Sequence, residues 1–168
     1  MLAAGPIPTP IGVGPLYHPA AGAVPVAGLR CVGGEQPRFG VHLELFAERR
    51  VVIVPAGIGI APPQRRSGAY VLGGRCSYPV RTREPTGVIE VARGARATLG
   101  QVFAVWGRPL SATRLASFAT SSPILAFVDG RRWHGDPRAI PLRPHAEIVL
   151  ELGGYIPPHA SFLFRKGL

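Results

Sequence analysis

The chain contains no asparagine and one lysine, Lys166, among its 19 basic residues. Both features look like the bias of a GC-rich genome, so the arginines need not have been selected for phosphate. A net charge of +10 therefore does not by itself imply nucleic acid. The arginines also stand singly or in pairs, without the block or stripe that marks an electrostatic footprint. Nucleic-acid binding is not expected. Aspartate is nearly absent, and Asp129 and Asp136 both sit in turn signals, Asp129-Gly130 and Asp136-Pro137, where a structural role suffices. No serine lies in a nucleophile-elbow context, and neither cysteine has a histidine partner that sequence can identify. His18, His42, His134, His145 and His159 are thus left without a catalytic constellation, and the chain reads as non-enzymatic.

An unbroken apolar helix is missing too. Residues 1–29 carry no charged side chain, but Pro6, Pro8, Pro10, Pro15, Pro19 and Pro25 interrupt any helix there. A membrane span needs about 20 apolar residues in one helix, so neither a span nor a secretory leader is legible. Cysteine is limited to Cys31 and Cys76, with no CxxC spacing for zinc or redox chemistry. The favoured reading is one disulfide, contributing about 4 kcal/mol through loop closure. It implies an oxidising location: extracellular, periplasmic or at the cell surface. The competing reading is a pair of buried free thiols.

Glycine and proline are abundant, at 22 and 19 residues, in a chain that is 46% hydrophobic. With 168 residues there is material for one sizeable core. The glycines and prolines fall between strand-like runs, which points to a loop-rich β domain. The expected layout is an extended Pro/Gly-rich arm over residues 1–28, a single domain over 29–152 and an extended C-terminal arm over 153–168. Residues 41–46 (VHLELF) alternate as a strand with one polar-leaning face. A charged turn at 48–50 leads to a return strand at 51–54. Residues 61–74 read as a long surface loop with a brief strand at 69–72. Strands are expected at 78–82 and 87–91, with a turn between them.

Thr98 and Gln101 then have capping-box spacing. Leu99, Val102, Phe103 and Trp106 form one helical face, Gly107 suits a left-handed terminus and Pro109 forbids continuation. Residues 110–122 read as a connection. Asp129-Gly130 turns a hairpin between 124–128 and 131–133. The last strand, 146–152, has an acidic face carrying Glu147 and Glu151, which reads as solvated. The fold class is α+β, predominantly β: an antiparallel or mixed sheet with one short helix, β-grasp-like, or else a β-sandwich.

The strings VHLELF…VVIVPAGIGI, YPVRTREPTGVIEV, TLGQVFAVWG and AFVDGRRWHGDPRAIPLRPHAEIVLELG together resemble a family of small secreted or surface-associated bacterial and archaeal proteins of unknown function. The likeness spans about residues 29–160. In many of those proteins the segment matching 81–90 reads His-Thr-His-Asp-x-Thr-Gly-Ile-Ile-His, and a His-x-His pair lies near the first strand. Alternating histidines on a strand face can hold a transition metal. Here Arg81, Arg83 and Glu90 occupy the three histidine positions of that segment, Glu84 the aspartate, and Gly40 one position of the pair, so only His42 is kept. Arginine offers no lone pair to a metal. The resemblance therefore implies the fold and an extracytoplasmic home, but no metal and no cofactor.

The functional expectation is a secreted or cell-surface interaction or structural module. It would self-associate or engage a protein partner through residues 1–28 and 153–168. The alternative is a periplasmic or extracellular protein that binds a small ligand or a metal. Candidate ligand or anion residues are Arg81, Arg83, Glu90 and His42, with Arg65, Arg66 or Arg75 joining the arginines. The competing account pairs Arg81 or Arg83 with Glu90 across the turn, worth at most about 1 kcal/mol. A residual metal site would use His42 with His145 or His159.

Overall fold

The computed structural model describes residues 24–168, so most of the expected N-terminal arm lies outside the described residues. Strands β1 (Arg38–Ala47), β2 (Arg50–Val52), β3 (Arg65–Ser67), β4 (Tyr70–Gly73), β5 (Val80–Arg81) and β6 (Val88–Ala92) precede the helix α1 (Leu99–Trp106). Strands β7 (Arg114–Leu115), β8 (Phe118–Ala119), β9 (Leu125–Val128), β10 (Arg131–Trp133) and β11 (Glu147–Leu152) follow it. The main sheet has seven strands in the order β10-β9-β11-β1-β6-β5, with β2 also paired to β1. The fold is therefore α+β and predominantly β, with a mixed sheet. β3–β4 and β7–β8 form two small separate hairpins. The second of these lies in the stretch read as a plain connection.

β1 organises the sheet. It pairs in parallel with β11, placing His42 opposite Glu147 and Leu45 opposite Leu150. Its other edge is divided: Arg38 to His42 pair with β6 and Leu45 to Ala47 with β2. The two-residue turn to β2 places Glu48 and Arg49 at φ 51° and 64°. Positive φ at both residues matches the right-handed strand twist, here achieved without glycine or asparagine. The return strand ends at Val52, short of the expected 54.

Alternation assigns each face of β1 its own neighbours, because successive side chains point to opposite sides of a strand. Val41, Leu43 and Leu45 join Ile89, Val91, Ile148 and Leu150 in the main core. That core is closed by Leu99, Val102, Phe103 and Trp106 of α1. The helix follows its sequence signals closely. Gln101 Oε1 accepts the Thr98 N–H at 3.0 Å, and Gly107 ends the helix at φ 73° in the left-handed region. The opposite sheet face carries Phe46, Phe127 and Val149, which pack with Ile156 from beyond β11.

Cys31 and Cys76 are joined in a disulfide with a Cα separation of 5.5 Å. The bond fixes the segment before β1 beside β5, where Val32 and Ser77 also form a backbone bridge. No helix among the described residues is long and apolar enough to cross a membrane.

Candidate functional site

The second face of the main sheet is polar at its centre and buried nevertheless. Arg38, His42, Arg81, Glu90, Glu147 and Glu151 are all buried. Residues 153–168 cover this face, having no helix or strand of their own. The Phe162 ring stacks on His42 at 3.7 Å between centroids, and Phe164 stacks on His145 at 5.0 Å. Arg165 reaches Glu90 at 2.7 Å. Gly40 makes room for this cover: a Cβ there would lie 2.5 Å from Phe164 Cδ1.

Glu147 and Glu151 therefore depart from the expected solvated face, at 0% and 1% exposure. β11 lies inside the sheet between β1 and β9, and the C-terminal segment lies above it. Burial raises the Glu151 carboxyl above its usual range, against a hydrogen bond from the Ile156 N–H.

Two clusters share the covered face. The first is built of guanidinium groups. Arg81 stands opposite Glu90 in the β5–β6 register, and its Nε donates to Glu90 Oε2 at 2.9 Å. Arg83 Nε lies 3.5 Å from the same oxygen, and Arg165 donates to the other. The cross-strand pair foreseen from sequence is thus present, but it is interior: Arg81 and Glu90 side chains are 4% and 5% exposed. The expected value of at most about 1 kcal/mol applied to a solvated pair. Removing one partner from a buried pair is far more costly.

Arg81 and Arg83 also hold Glu35, at 2.8 and 2.7 Å. Arg38 lies behind them, donating to Ser77 Oγ and to the carbonyls of Tyr78, Pro79 and Glu90. Its burial, with Arg81 beside it, pulls its pKa down to about 10. Of the loop arginines, Arg65 lines a cavity with Arg81, Arg66 turns to Gln64 and Arg75 is exposed.

The second cluster consists of bases. Because a carbonyl can only accept, the contact at 2.9 Å to Thr86 O places a proton on His42 Nε2. His42 Nδ1 then faces Glu147, at 3.0 and 2.8 Å from its two oxygens, and Glu44 Oε1 at 3.8 Å. His159 Nδ1 contacts the same Glu44 carboxylate at 2.8 Å. Burial raises the Glu147 carboxyl, and the neighbouring Glu44 carboxylate adds to the rise. Among the described residues, neither carboxylate pairs with an arginine or lysine.

Sequence reasoning found His42 and offered His145 or His159 as its companion, yet it missed Glu44 and read Glu147 as solvated. The signal was available for Glu44, two residues from His42 on one strand. Glu147 required the parallel β1–β11 register, which no local pattern encodes. His145 is directed elsewhere, to Leu168 O at 2.7 Å. Compared with family models, curated proteins and solved structures, the chain matches none.

Proposed function

We propose that the protein is a non-enzymatic, extracytoplasmic metal-binding protein that holds one first-row divalent ion, zinc foremost, at His42, Glu44 and Glu147. The observation that carries this reading is their convergence: the three residues each offer a donor atom, all within 4.8 Å of one another. Around a tetrahedral zinc with bonds near 2.0 Å, neighbouring donors lie about 3.3 Å apart. The contacts of 2.8 and 3.8 Å bracket that spacing.

The proton on His42 Nε2 is fixed by a backbone carbonyl, which leaves Nδ1 for the ion, as in many histidine–metal sites. A neutral imidazole and two carboxylates give a ligand charge that a divalent ion cancels. His159 orients Glu44 from the covering segment. The disulfide supports an oxidising location, extracellular, periplasmic or at the cell surface. The first expectation, self-association or a protein partner through residues 1–28 and 153–168, is untouched for residues 1–23, which lie outside the described residues. Residues 153–168 are engaged on their own sheet, with Ile156 buried and Phe162 and Phe164 stacked on His42 and His145.

The test is zinc titration of chelator-treated protein by calorimetry, with metal analysis after dialysis. One zinc per chain is expected. His42→Gln and Glu147→Gln should each weaken binding by more than about tenfold, or 1.4 kcal/mol, while His145→Gln should not. Substoichiometric uptake by the wild type, or undiminished uptake by the His42→Gln, Glu147→Gln double variant, would remove the proposal.

A further inference from the structure

Glu35 presents an inverted arrangement: an exposed acid held by guanidinium groups far less exposed than itself. Its side chain is 65% exposed, whereas those of Arg81 and Arg83 are 4% and 16% exposed. It sits in an exposed run over residues 32–37 that includes Gly33 and Gly34. From there it reaches inward, and both terminal nitrogens of Arg81 donate to its two oxygens, at 3.3 and 2.8 Å. Arg83 adds a third contact at 2.7 Å. A planar fork of this kind matches the geometry of a carboxylate.

Neutralising Arg81 does not by itself require Glu35, because Glu90 already lies against Arg81 Nε at 2.9 Å. Four guanidinium groups gather here, those of Arg38, Arg81, Arg83 and Arg165. Glu90 is the one buried carboxylate among them. Beside the fork lies a cavity of about 180 Å³ whose lining includes Gly34, Glu35, Arg65, Ser77 and Arg81.

We propose that Arg81 and Arg83 form a receptor for a small carboxylate ligand, with Glu35 as its internal occupant and the adjoining cavity as the space for the rest of the ligand. Arg65 on the cavity wall suits a second acid group, so the ligand class is a small dicarboxylate. The ligand's carboxylate takes the three contacts now made by Glu35, and the Gly33–Gly34 stretch lets Glu35 swing out to solvent. Hydrogen bonding from Arg81 holds the Glu35 carboxyl below its usual range, so the occupant stays ionised and competes throughout the neutral range. This site uses none of the proposed zinc ligands.

The experiment is titration of succinate, acetate and inorganic phosphate into wild type and Glu35→Gln, followed by calorimetry and by amide shifts of residues 77 and 81. Conducted in excess phenanthroline, a chelator without carboxylates, it is independent of zinc binding. Glu35→Gln should bind succinate at least tenfold more tightly than the wild type, and more tightly than acetate or phosphate. Adding Arg83→Ala, a partly exposed position that spares the buried Arg81, should reverse the gain. If Glu35→Gln binds succinate no better than the wild type, or if Arg83→Ala leaves its affinity unchanged, the receptor is refuted. Preference for phosphate over succinate would overturn the dicarboxylate assignment.

Discussion

Glu90 is a single buried carboxylate serving three guanidinium groups, and this sharing determines what its loss would do. Breaking a buried ion pair from one side leaves uncompensated charge in the interior, typically costing about 3–5 kcal/mol. Glu90→Ala is expected to destabilise by that amount in urea unfolding. Glu84→Ala, which removes a contact of 3.8 Å to the half-exposed Arg165, should change stability by less than about 0.5 kcal/mol. Equal losses in the two variants would mean that the interior pair carries no special weight.

Glu151 presents the opposite electrostatic case. Burial raises its carboxyl, so the folded state binds the proton more tightly than the unfolded chain does. Stability therefore falls as pH rises above the unfolded value near 4.5. Glu151→Gln retains an acceptor for the Ile156 N–H and removes the charge. Its melting temperature should exceed that of the wild type at pH 8, with the gap closing toward pH 4; a gap that ignores pH would count against the argument. The Arg81–Glu90 pairing was legible because a short turn fixes its register. The burial of Glu147 and Glu151 was not, since alternation reads the same whether a polar face meets water or a covering segment.

Among the elements, α1 and the C-terminal cover differ in how much of their placement is local. The helix announces itself through Thr98, Gln101, its four apolar side chains and Gly107, all within ten residues. The cover has no periodicity, and its position depends on residues scattered in and beside the sheet: Gly40, His42, Glu44, Glu90 and His145. From sequence it therefore looked like an extended arm. Strand pairing was similarly half-visible. The hairpins around Asp129-Gly130 and between β5 and β6 followed from turn chemistry, whereas the parallel β1–β11 contact joins residues more than a hundred positions apart. Gly40 is the place to test the cover. Its missing side chain is filled by the Phe164 ring and Leu168 Cβ, the latter at 3.3 Å. Gly40→Ala should displace that ring and cost about 1–3 kcal/mol through overpacking. Trypsin should then cut faster after Arg165 and Lys166. Unchanged cleavage and stability would show that the cover does not depend on this seat.

For the whole molecule, the disulfide is the covalent link between the segment preceding the sheet and the arginine cluster. Cys31 and Cys76 are 45 residues apart in sequence, and β1 to β4 all lie within the loop they close. Next to Cys76, Ser77 accepts from both Arg38 and Arg81, and Cys76 itself lines the cavity beside Glu35. The bond thus bears on both stability and the shape of the proposed receptor. By chain entropy a closure of this length contributes about 4 kcal/mol. In a domain of this size each kcal/mol shifts the melting temperature by about 2–4 °C, so full reduction should lower it by roughly 8–16 °C. A Cys31→Ala, Cys76→Ala variant should melt at the reduced protein's temperature and ignore reductant, which separates loss of the bond from side effects of the reagent. The main core rests on α1 against β1, β6 and β11, with Cys31 packed only at its edge, so the reduced protein should still unfold cooperatively. A melting temperature that moves by less than about 2 °C on reduction would mean that the denatured chain is already confined without the bond, and that its contribution is local to the loop carrying Glu35.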